Sequence, residues 1–444
     1  SMTSLFLHAP LAWAALALAT GCSLDDLPFR CDRDQACVKG STLGMCEANG
    51  YCSFGDDDCE GTRRRYGANA PTGVANACVP ECVTQLALGQ FHSCALRKDG
   101  SLRCWGDARD GQLGNGKSAT QSYATPVEVD PRVQPAAWVS AGEDHTCAVK
   151  SPEGTVWCWG ANQGLQLGVW GAKEPGPVEV TLATPQKEPA VAVAAGLFHS
   201  CALGSWGARC WGVCKSGQLG SAGCTDPGLM LPSPVDWKAD ILEIGVGAGH
   251  TCAVPSVGQL RCWGANNVGQ LGVPGPSQPV PAPLKLTAQH VAVGAGHNCA
   301  LMDGKVACWG NNEQGQLGGP GPWTPNPTPI ALDSSAKSVA AGYAHSCALL
   351  SDGRVACWGS NLYGQLGPGA EPGIKPSGPV IVDLPEAADR VSAGREHTCA
   401  RAESGRVYCW GRNDFGQLGN GESGSTEPNP TPDLAVWKSL CAEL

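Results

Sequence analysis

A histidine, a cysteine two residues later and a second cysteine nine to eleven residues beyond that one recur seven times in this chain. Histidine and cysteine thiolate are ligands that zinc prefers, so each segment offers three candidate metal ligands. Paired thiols also support redox chemistry, and histidine is the commonest acid–base catalyst near neutral pH. The repeated histidines are His92, His145, His199, His250, His297, His345 and His397.

Each of these three chemistries lacks something that it needs. A zinc site requires about four ligands around one centre, whereas one segment supplies three in a strand geometry. No Cys-x-x-Cys pair, typical of thiol redox enzymes, occurs in the chain. A catalytic residue is normally single and has partners, so seven copies of one histidine indicate a structural role, such as a hydrogen bond to a neighbouring backbone carbonyl. We therefore predict no metal, no cofactor and no catalytic residue.

The two cysteines of each segment fit a disulfide across a β-hairpin. A two-residue turn at Asp303-Gly304 places Cys299 directly opposite Cys308. Directly opposed residues of antiparallel strands have the Cα separation that a disulfide requires. The spacing in other segments changes with the length of the turn, so their cysteines also face each other. The predicted pairs are Cys94/Cys104, Cys147/Cys158, Cys201/Cys210, Cys252/Cys262, Cys299/Cys308, Cys347/Cys357 and Cys399/Cys409, with Cys214/Cys224 as an added local pair.

The hairpins belong to a longer repeat. Successive motif histidines stand 47 to 54 residues apart, and a fixed core with variable joints at this period predicts a propeller or a solenoid. In every copy a glycine precedes the histidine by three residues, and Trp-Gly and Gly-Gln-Leu-Gly follow it, with one residue added in 164–168. We expect the repeated tryptophans to fill the space between repeats. They are Trp105, Trp159, Trp211, Trp263, Trp309, Trp358 and Trp410.

The phrase Ala-Gly-x-x-His-[Ser/Thr]-Cys-Ala-Leu, followed by Trp-Gly-x-Asn and Gly-Gln-Leu-Gly, resembles the regulator of chromosome condensation repeat over residues 83–420. The resemblance implies an all-β fold, a seven-bladed β-propeller whose blades are four-stranded antiparallel sheets. Such a ring must close, and residues 432–440 are similar to the strand that begins a repeat at 136–140. We therefore expect residues 83–444 to form the propeller and 432–440 to pair into the blade of the first motif.

Cysteine content and the N-terminus indicate export. The chain has 25 cysteines, which a reducing cytosol would not keep paired. Residues 1–21 contain an apolar stretch and are predicted to be a signal peptide, ending before Cys22 in a sequence that resembles a bacterial lipobox. Lipidation of Cys22 would leave an even number of cysteines for disulfides. We predict an exported lipoprotein at the outer membrane or cell surface.

Residues 22–82 form a cysteine-rich head with few large apolar side chains, so its stability must depend on disulfides. The head is similar to those of myxobacterial lipoproteins, which points to such a source. Its odd number of cysteines favours one bond from Cys441 to Cys78 or Cys82. The pairing is otherwise open for Cys31, Cys37, Cys46, Cys52, Cys59, Cys78, Cys82 and Cys441.

The formal net charge of −10 argues against a nucleic-acid partner. The founding member of the resembled family exchanges guanine nucleotide on a nuclear GTPase, whereas a secreted bacterial relative blocks a β-lactamase through one face. For an exported chain the second analogy implies a monomeric, non-enzymatic propeller that binds a protein through inter-repeat loops on one face. Candidate contacts are the tryptophans outside the shared motif, Trp170, Trp206, Trp237 and Trp323.

Three alternatives stay open. A glycan-acting hydrolase or lyase would need paired carboxylates at the mouth of the ring, with Glu143, Asp144, Glu313 and Glu396 as candidates. A structural component of an envelope or spore coat would need no specific ligand. Guanine nucleotide exchange, implied by the resemblance, is less favoured because an exported acidic chain meets neither a nuclear GTPase nor chromatin.

Overall fold

The computed structural model describes residues 83–117, 122–184, 188–223, 228–403 and 405–435, together with five short strands between residues 38 and 66. In the head, β1 (Val38–Lys39) pairs with β2 (Thr42–Leu43). A second small sheet contains β3 (Met45–Cys46), β4 (Cys52–Gly55) and β5 (Arg64–Tyr66). The predicted signal peptide, Cys22, Cys441 and most head cysteines lie outside the described residues.

Seven four-stranded antiparallel sheets follow in chain order, and they are the seven blades of a β-propeller. Blade 1 contains β6 (Val83–Leu88), β7 (His92–Arg97), β8 (Leu102–Gly106) and β9 (Tyr123–Glu128); blade 2 contains β10 (Ala136–Ala141), β11 (His145–Lys150), β12 (Val156–Ala161) and β13 (Lys173–Val180). Blade 3 contains β14 (Ala190–Ala195), β15 (His199–Gly204), β16 (Gly207–Gly212) and β17 (Leu229–Pro234); blade 4 contains β18 (Ile241–Val246), β19 (His250–Pro255), β20 (Arg261–Gly264) and β21 (Gln278–Pro283). Blade 5 contains β22 (His290–Val293), β23 (His297–Met302), β24 (Lys305–Asn311) and β25 (Trp323–Pro329); blade 6 contains β26 (Ala336–Ala341), β27 (His345–Leu350), β28 (Val355–Gly359) and β29 (Val380–Val382). Blade 7 contains β30 (Ala388–Ala393), β31 (His397–Ala402), β32 (Val407–Asn413) and β33 (Ser425–Leu434), and one 3-10 turn (Pro131–Val133) lies between blades 1 and 2.

The second and third strands of every blade are joined by a disulfide. In blade 5, Cys299 lies opposite Cys308 in the register expected from the Asp303-Gly304 turn, and the two Cα atoms are 4.1 Å apart. The same direct opposition and the same Cα separation of 4.1 Å occur in the other six blades, so the pairing predicted from turn length holds in each. The other six bonds join Cys94 to Cys104, Cys147 to Cys158, Cys201 to Cys210, Cys252 to Cys262, Cys347 to Cys357 and Cys399 to Cys409.

The added local pair is described only in part. Cys214 is disulfide-bonded, while its predicted partner Cys224 lies outside the described residues. The pairing of Cys214 with Cys224 therefore stays a prediction.

Adjacent blades are joined by one hydrogen-bonded unit that repeats around the ring. Between blades 1 and 2, the backbone carbonyl of Gln112 accepts hydrogen bonds from the Thr146 hydroxyl and from Trp159 Nε1, both at 2.9 Å. The same hydroxyl is 2.9 Å from His92 Nε2. Because the hydroxyl proton is directed to Gln112, the imidazole must donate from Nε2. Each motif histidine therefore bonds a side chain of the next blade, and not the backbone carbonyl suggested by the sequence.

The ring is closed by this same unit and by backbone contacts. His397 Nε2 of blade 7 lies 2.9 Å from the Ser93 hydroxyl of blade 1, and Ser93 donates to the Gln417 carbonyl. Near the axis, Arg395 N–H donates to the carbonyl of Gly89 at 3.0 Å. Blades 7 and 1 thus pack as any other neighbouring pair does.

The predicted closure by a C-terminal strand is wrong for the residues that the structure describes. All four strands of blade 1 come from residues 83–128. Residues 432–434 lie in β33, which pairs with β32 as the fourth strand of blade 7. The error came from the similarity of 432–440 to an opening strand, whereas blade 1 already has its own opening strand in β6. Residues 436–440 lie outside the described part.

The glycine three residues before each histidine is required where blades meet at the axis. A Cβ on Gly342 would overlap the Gly394 carbonyl oxygen and the ring of His345. We expect Gly342→Ala to lower the free energy of unfolding by about 3 kcal/mol, because neither neighbour has room to move. Chemical denaturation would measure the change. Gly319→Ala is the matched control, since a Cβ there meets nothing within 4 Å, and an equal loss in both variants would contradict the argument.

Candidate functional site

The up-and-down order of the strands divides the loops between two faces. In each blade the turn between the first and second strands and the loop between the third and fourth strands emerge at one end of the sheet. We name this end the motif face, because it carries the two variable residues of Ala-Gly-x-x-His and the Gly-Gln-Leu-Gly loop. The second-to-third hairpins and the links between blades lie on the opposite face. No helix among the described residues is long and apolar enough to span a membrane.

At the centre of the motif face the seven glycines surround a narrow mouth with a cavity of about 160 Å³. Four side chains from blades 1, 2 and 7 form a polar network there. Arg395 Nη1 lies 3.2 Å from a Glu143 carboxylate oxygen. The Gln90 amide lies 3.1 Å from both Asp144 oxygens and 3.1 Å from Arg395 Nη1, so its NH2 donates to Asp144 and its oxygen accepts from the arginine. The network links three blades across the point where the ring closes.

The carboxylates of this network have raised pKa values. Burial raises the pKa of Glu143 to about 7, against the lowering effect of the Arg395 charge. Burial, with the negative charges of Asp110 and Asp107, raises the pKa of Asp144 to about 6. Raised carboxyl pKa values are typical of functional sites as well as of structural ion pairs. Here both carboxylates already have partners: Glu143 is paired with Arg395, and Asp144 accepts from the Gln90 amide.

Beside the mouth, aromatic rings and arginines stack on one another across blades 6, 7 and 1. The rings of Phe91 and Phe415 lie 4.9 Å apart. The guanidinium of Arg109 covers the Phe415 ring at 4.4 Å, and that of Arg412 lies 4.6 Å from Phe91 and 4.7 Å from Tyr363. We name Phe91, Arg109, Tyr363, Arg412 and Phe415 the aromatic–arginine cluster. Arg412 is held by Glu396 and Asp414, each at 2.6 Å.

Blades 4, 5 and 6 leave an opening in the same face. Two blades carry Ala-Gly at the variable turn positions, Ala248-Gly249 and Ala295-Gly296, where blades 1 and 3 have Gln90-Phe91 and Leu197-Phe198. The missing side chains leave a cavity of about 510 Å³, which we name the slot. Its other walls come from the third-to-fourth strand loops of blades 4 and 5 and from Tyr343. That volume is within the range of ligand sites.

The structure separates the four tryptophans that the sequence grouped as partner contacts. Trp170 lies in the loop between β12 and β13, and Trp323 begins β25, so both are at the edge of the motif face. They are 75% and 51% exposed. Trp206, in the β15–β16 turn, and Trp237, in the link between blades 3 and 4, are half-buried on the opposite face. Only Trp170 and Trp323 therefore remain candidates for contact with a partner at the motif face.

The four candidate carboxylates are also divided. Glu143 and Asp144 meet at the mouth, Glu396 is paired with Arg412, and Glu313 lines the slot. Within the described ranges no three His, Cys, Asp or Glu side chains come together in a way that could hold a metal ion.

Sequence reasoning missed the aromatic–arginine cluster, although its signal was present. Phe91 stands directly before a motif histidine, and Tyr363 and Phe415 directly before Gly-Gln-Leu-Gly.

The hairpin cysteines belong to the interior of the blades and not to the motif face. All fourteen have no solvent-exposed surface, and none of them lines the mouth or the slot. Each pair stabilises its own hairpin and offers no thiol to a ligand. The first members are Cys94, Cys147, Cys201, Cys252, Cys299, Cys347 and Cys399, and the second members are Cys104, Cys158, Cys210, Cys262, Cys308, Cys357 and Cys409.

The sequence of this chain matches models of one known protein family. The model of the RCC1-like domain matches residues 191–442, more than half of the chain. The chain belongs to the RCC1-like family. Two models of the regulator of chromosome condensation repeat match further upstream, one at residues 83–112 and 139–164 and the other at 99–149 and 153–203. RCC1-like repeats therefore cover the propeller from its first blade.

The mitochondrial RCC1 domain-containing protein RUG3 of Arabidopsis thaliana is 33% identical over 206 residues, 44% of each chain. The ultraviolet-B receptor UVR8 of the same plant is 31% identical over 194 residues, 43% of each chain. The chain thus spans less than half the length of these curated relatives. Among solved structures, Saccharomyces cerevisiae Prp20p has a TM-score of 0.67 at 24% identity, over 81% of this chain and 88% of Prp20p. This likeness shows the RCC1-like fold.

Proposed function

We propose that this chain is a non-enzymatic, protein-binding RCC1-like propeller, which contacts its partner through the motif face. The observation that carries the proposal is the aromatic–arginine cluster, because Tyr and Arg are enriched at the energetic centres of protein interfaces. Its members are pre-positioned by stacking and ion pairs, which lowers the entropy cost of binding. Trp170 and Trp323 would extend the contact at the edge of this face.

Relatives with this fold support a protein partner. Prp20p was characterised for binding to Gsp1p and histones, and yeast RCC1 (Prp20) was solved bound to Kap60. A bovine relative, 31% identical over 216 residues, is a secretion-regulating guanine nucleotide exchange factor. The seven hairpin disulfides of the present chain favour a partner in an oxidising compartment, and its net charge of −10 disfavours a nucleic-acid-associated one. The partners of these relatives are therefore not the ones that we propose for this chain.

The proposed setting is the bacterial cell envelope, with Cys22 as the lipid anchor and residues 1–21 as the signal peptide. The described propeller begins with β6 and ends with β33; the start of β6 and the end of β33 are at the opposite face, because β6 leads into a motif-face turn and β33 leads away from one.

The glycan-acting alternative has weaker support. It needs a carboxylic acid and a carboxylate that are free to reach a glycosidic bond. The raised pKa values of Glu143 and Asp144 would suit an acid, but Arg395 and Gln90 already occupy them. The axial cavity of about 160 Å³ is also smaller than ordinary ligand sites. We therefore propose binding without catalysis.

A binding experiment with paired variants tests this proposal. The mature, oxidised chain on beads is exposed to envelope extract and culture medium, and the dissociation constant of any saturable protein partner is measured. We expect Phe415→Ala to weaken binding by about tenfold or more, because it removes the stack beneath Arg109 and beside Phe91.

Val257→Ala is the matched control, since Val257 is 88% exposed on the opposite face, in the turn between β19 and β20. Circular dichroism of both variants confirms that the fold is intact. A partner lost with Val257→Ala but retained with Phe415→Ala would overturn the choice of face. The absence of any saturable partner would overturn the binding function.

A further inference from the structure

The slot opens because two successive blades, 4 and 5, have only alanine and glycine at the two variable positions of the motif-face turn. Phe91 and Phe198 occupy in blades 1 and 3 the position that Gly249 and Gly296 occupy in blades 4 and 5. A Cβ on Gly249 would lie 3.5 Å from the Ala265 Cβ, and one on Gly296 would lie 3.5 Å from the Asn311 Cβ, which are ordinary contacts. Both glycines could therefore be larger residues as far as the fold is concerned.

The amide side chains that line the slot present donors to it. Asn267 Oδ1 accepts a hydrogen bond from Gln270 Nε2 at 2.9 Å. Asn311 Oδ1 accepts one from Glu313 N–H at 2.8 Å and one from Gln316 Nε2 at 3.3 Å. Each oxygen thus already accepts a hydrogen bond within its own loop, and the NH2 group of each asparagine supplies two further donors for a ligand.

A backbone donor is left at the same place. In six blades the N–H that follows the axial glycine donates to the next blade, as Ala248 does to the Ala295 carbonyl at 3.2 Å and Tyr343 to the Gly394 carbonyl at 3.3 Å. Among the described residues no such bond is made by Ala295 N–H, which lies between those two blades in the wall of the slot. An unpaired N–H at a half-buried position is costly unless a ligand or water accepts from it.

Three backbone acceptors of the slot are already engaged. The carbonyls of Gly249, Gly296 and Ala344 accept from Ala265, Asn311 and Ser360, each at 2.8 Å. The lining contains no Lys, Arg or His, and Glu313 is its only acidic residue. A ligand that offers hydrogen-bond acceptors and carries no negative charge therefore fits the free donors and the Glu313 side chain of this site. Peptide carbonyls have this chemistry, because they accept hydrogen bonds and carry no charge.

We propose that the slot receives an exposed loop of a partner protein, whose backbone carbonyls accept hydrogen bonds from Asn267 Nδ2, Asn311 Nδ2 and Ala295 N–H. Tyr343, which is 41% exposed beneath the Arg395 guanidinium, forms one wall against the loop. Glu313 excludes loops rich in Asp and Glu and favours those with a basic residue. This inference rests on the proposed function and assigns to it a second contact region beside the aromatic–arginine cluster.

The test uses a phage library of disulfide-constrained random peptides, panned on the oxidised full chain. We expect selected peptides to be poor in acidic residues and to lose affinity about tenfold or more for Gly296→Phe, which fills the slot with the side chain that blade 3 carries. Asn267→Asp should cause a comparable loss, because it replaces a donor by an acceptor of the same shape. Phe198→Gly is the matched control and should leave the affinity unchanged.

Three results would overturn the slot proposal: selected peptides that bind Gly296→Phe as well as the parent, a library that yields no specific peptide, or binding confined to a glycan array. Failure of the slot remains distinguishable from failure of the proposed function. An extract partner that is sensitive to Phe415→Ala but indifferent to Gly296→Phe would leave protein binding intact and remove the slot from it.

Discussion

Acidification below about pH 6.5 is expected to destabilise this propeller steeply, through the seven motif histidines acting together. Burial lowers their pKa values to about 4 for His92, His250 and His345, and to about 3 for the other four. Each Nδ1 is buried without a hydrogen-bond partner in the described structure, so a proton there would be an uncompensated charge. The neutral imidazole is what the blade interface requires.

The sign follows from linkage between protonation and folding. In the unfolded chain these histidines titrate near pH 6.5, so their contribution to stability is present above that pH and is lost as the pH falls towards 4. Each loses about 1 kcal/mol over the first pH unit below 6.5 and up to about 1.4 kcal/mol per unit after that, which makes the combined loss about 7 kcal/mol for the first unit. This is comparable to the whole stability of an ordinary domain.

Chemical denaturation at a series of pH values measures this effect, and NMR of the imidazole protons reports each histidine. His290→Gln is an informative control. Burial lowers the pKa of His290, but its hydrogen bond to Glu243, 2.8 Å from Nδ1, the Glu243 charge and its hydrogen bond to the Val339 carbonyl together raise the pKa above the ordinary value. Its contribution is therefore lost as the pH rises, and removing it should leave the acid slope unchanged. A free energy of unfolding that stays flat from pH 7 to pH 5 would contradict the prediction.

Reduction of the hairpin disulfides is expected to cause the second large loss of stability. Each closes a loop of 9 to 11 residues, which stabilises by roughly 2–3 kcal/mol in the chain-entropy model. For seven bonds the loss is on the order of 15–20 kcal/mol, enough to unfold the chain. All fourteen cysteines are fully buried, so a reductant alone should act slowly on the folded protein and rapidly after denaturant opens it.

Guanidinium denaturation of oxidised and of reduced, alkylated protein measures the difference. The double variant Cys299→Ala/Cys308→Ala is the single-site comparison and should lose about 2–3 kcal/mol while the other six hairpins keep their disulfides. Equal denaturation midpoints for the oxidised and reduced proteins would contradict the prediction, and would mean that packing around the tryptophans alone holds the blades.

Features that depend on local geometry could be read from the sequence. The turn at Asp303-Gly304 determines which residues face each other in its hairpin, so the Cys299–Cys308 bond followed without knowledge of any other blade. The seven-bladed ring followed from counting the repeats and from the family resemblance, and the topology confirms it. In the same way, seven copies of one histidine indicated a structural role before its partner was known.

Features that depend on which residues of different blades meet could not be read in this way. The assignment to blade 1 failed for residues 432–434, because local similarity to an opening strand does not say which blade a segment joins, and in the structure these residues end β33 of blade 7. The four candidate tryptophans looked equivalent in the sequence, yet Trp323 lies after the third strand of its blade, on the motif face, and Trp206 lies after the second strand of its blade, on the opposite face. The strand that a loop follows, and not the residue type, decides its face.

The sequence by itself determined the repeat, the hairpin registers, the hairpin disulfides and the glycines at the axis, because each rests on a few neighbouring residues and on backbone sterics. Only the tertiary structure decided that His397 meets Ser93, that Arg412 stacks between Phe91 and Tyr363, and that Gly249 and Gly296 open onto one slot. The physical reason is that a ring brings together residues that are far apart in the chain, 304 positions in the case of His397 and Ser93, and those contacts depend on blade angle and closure.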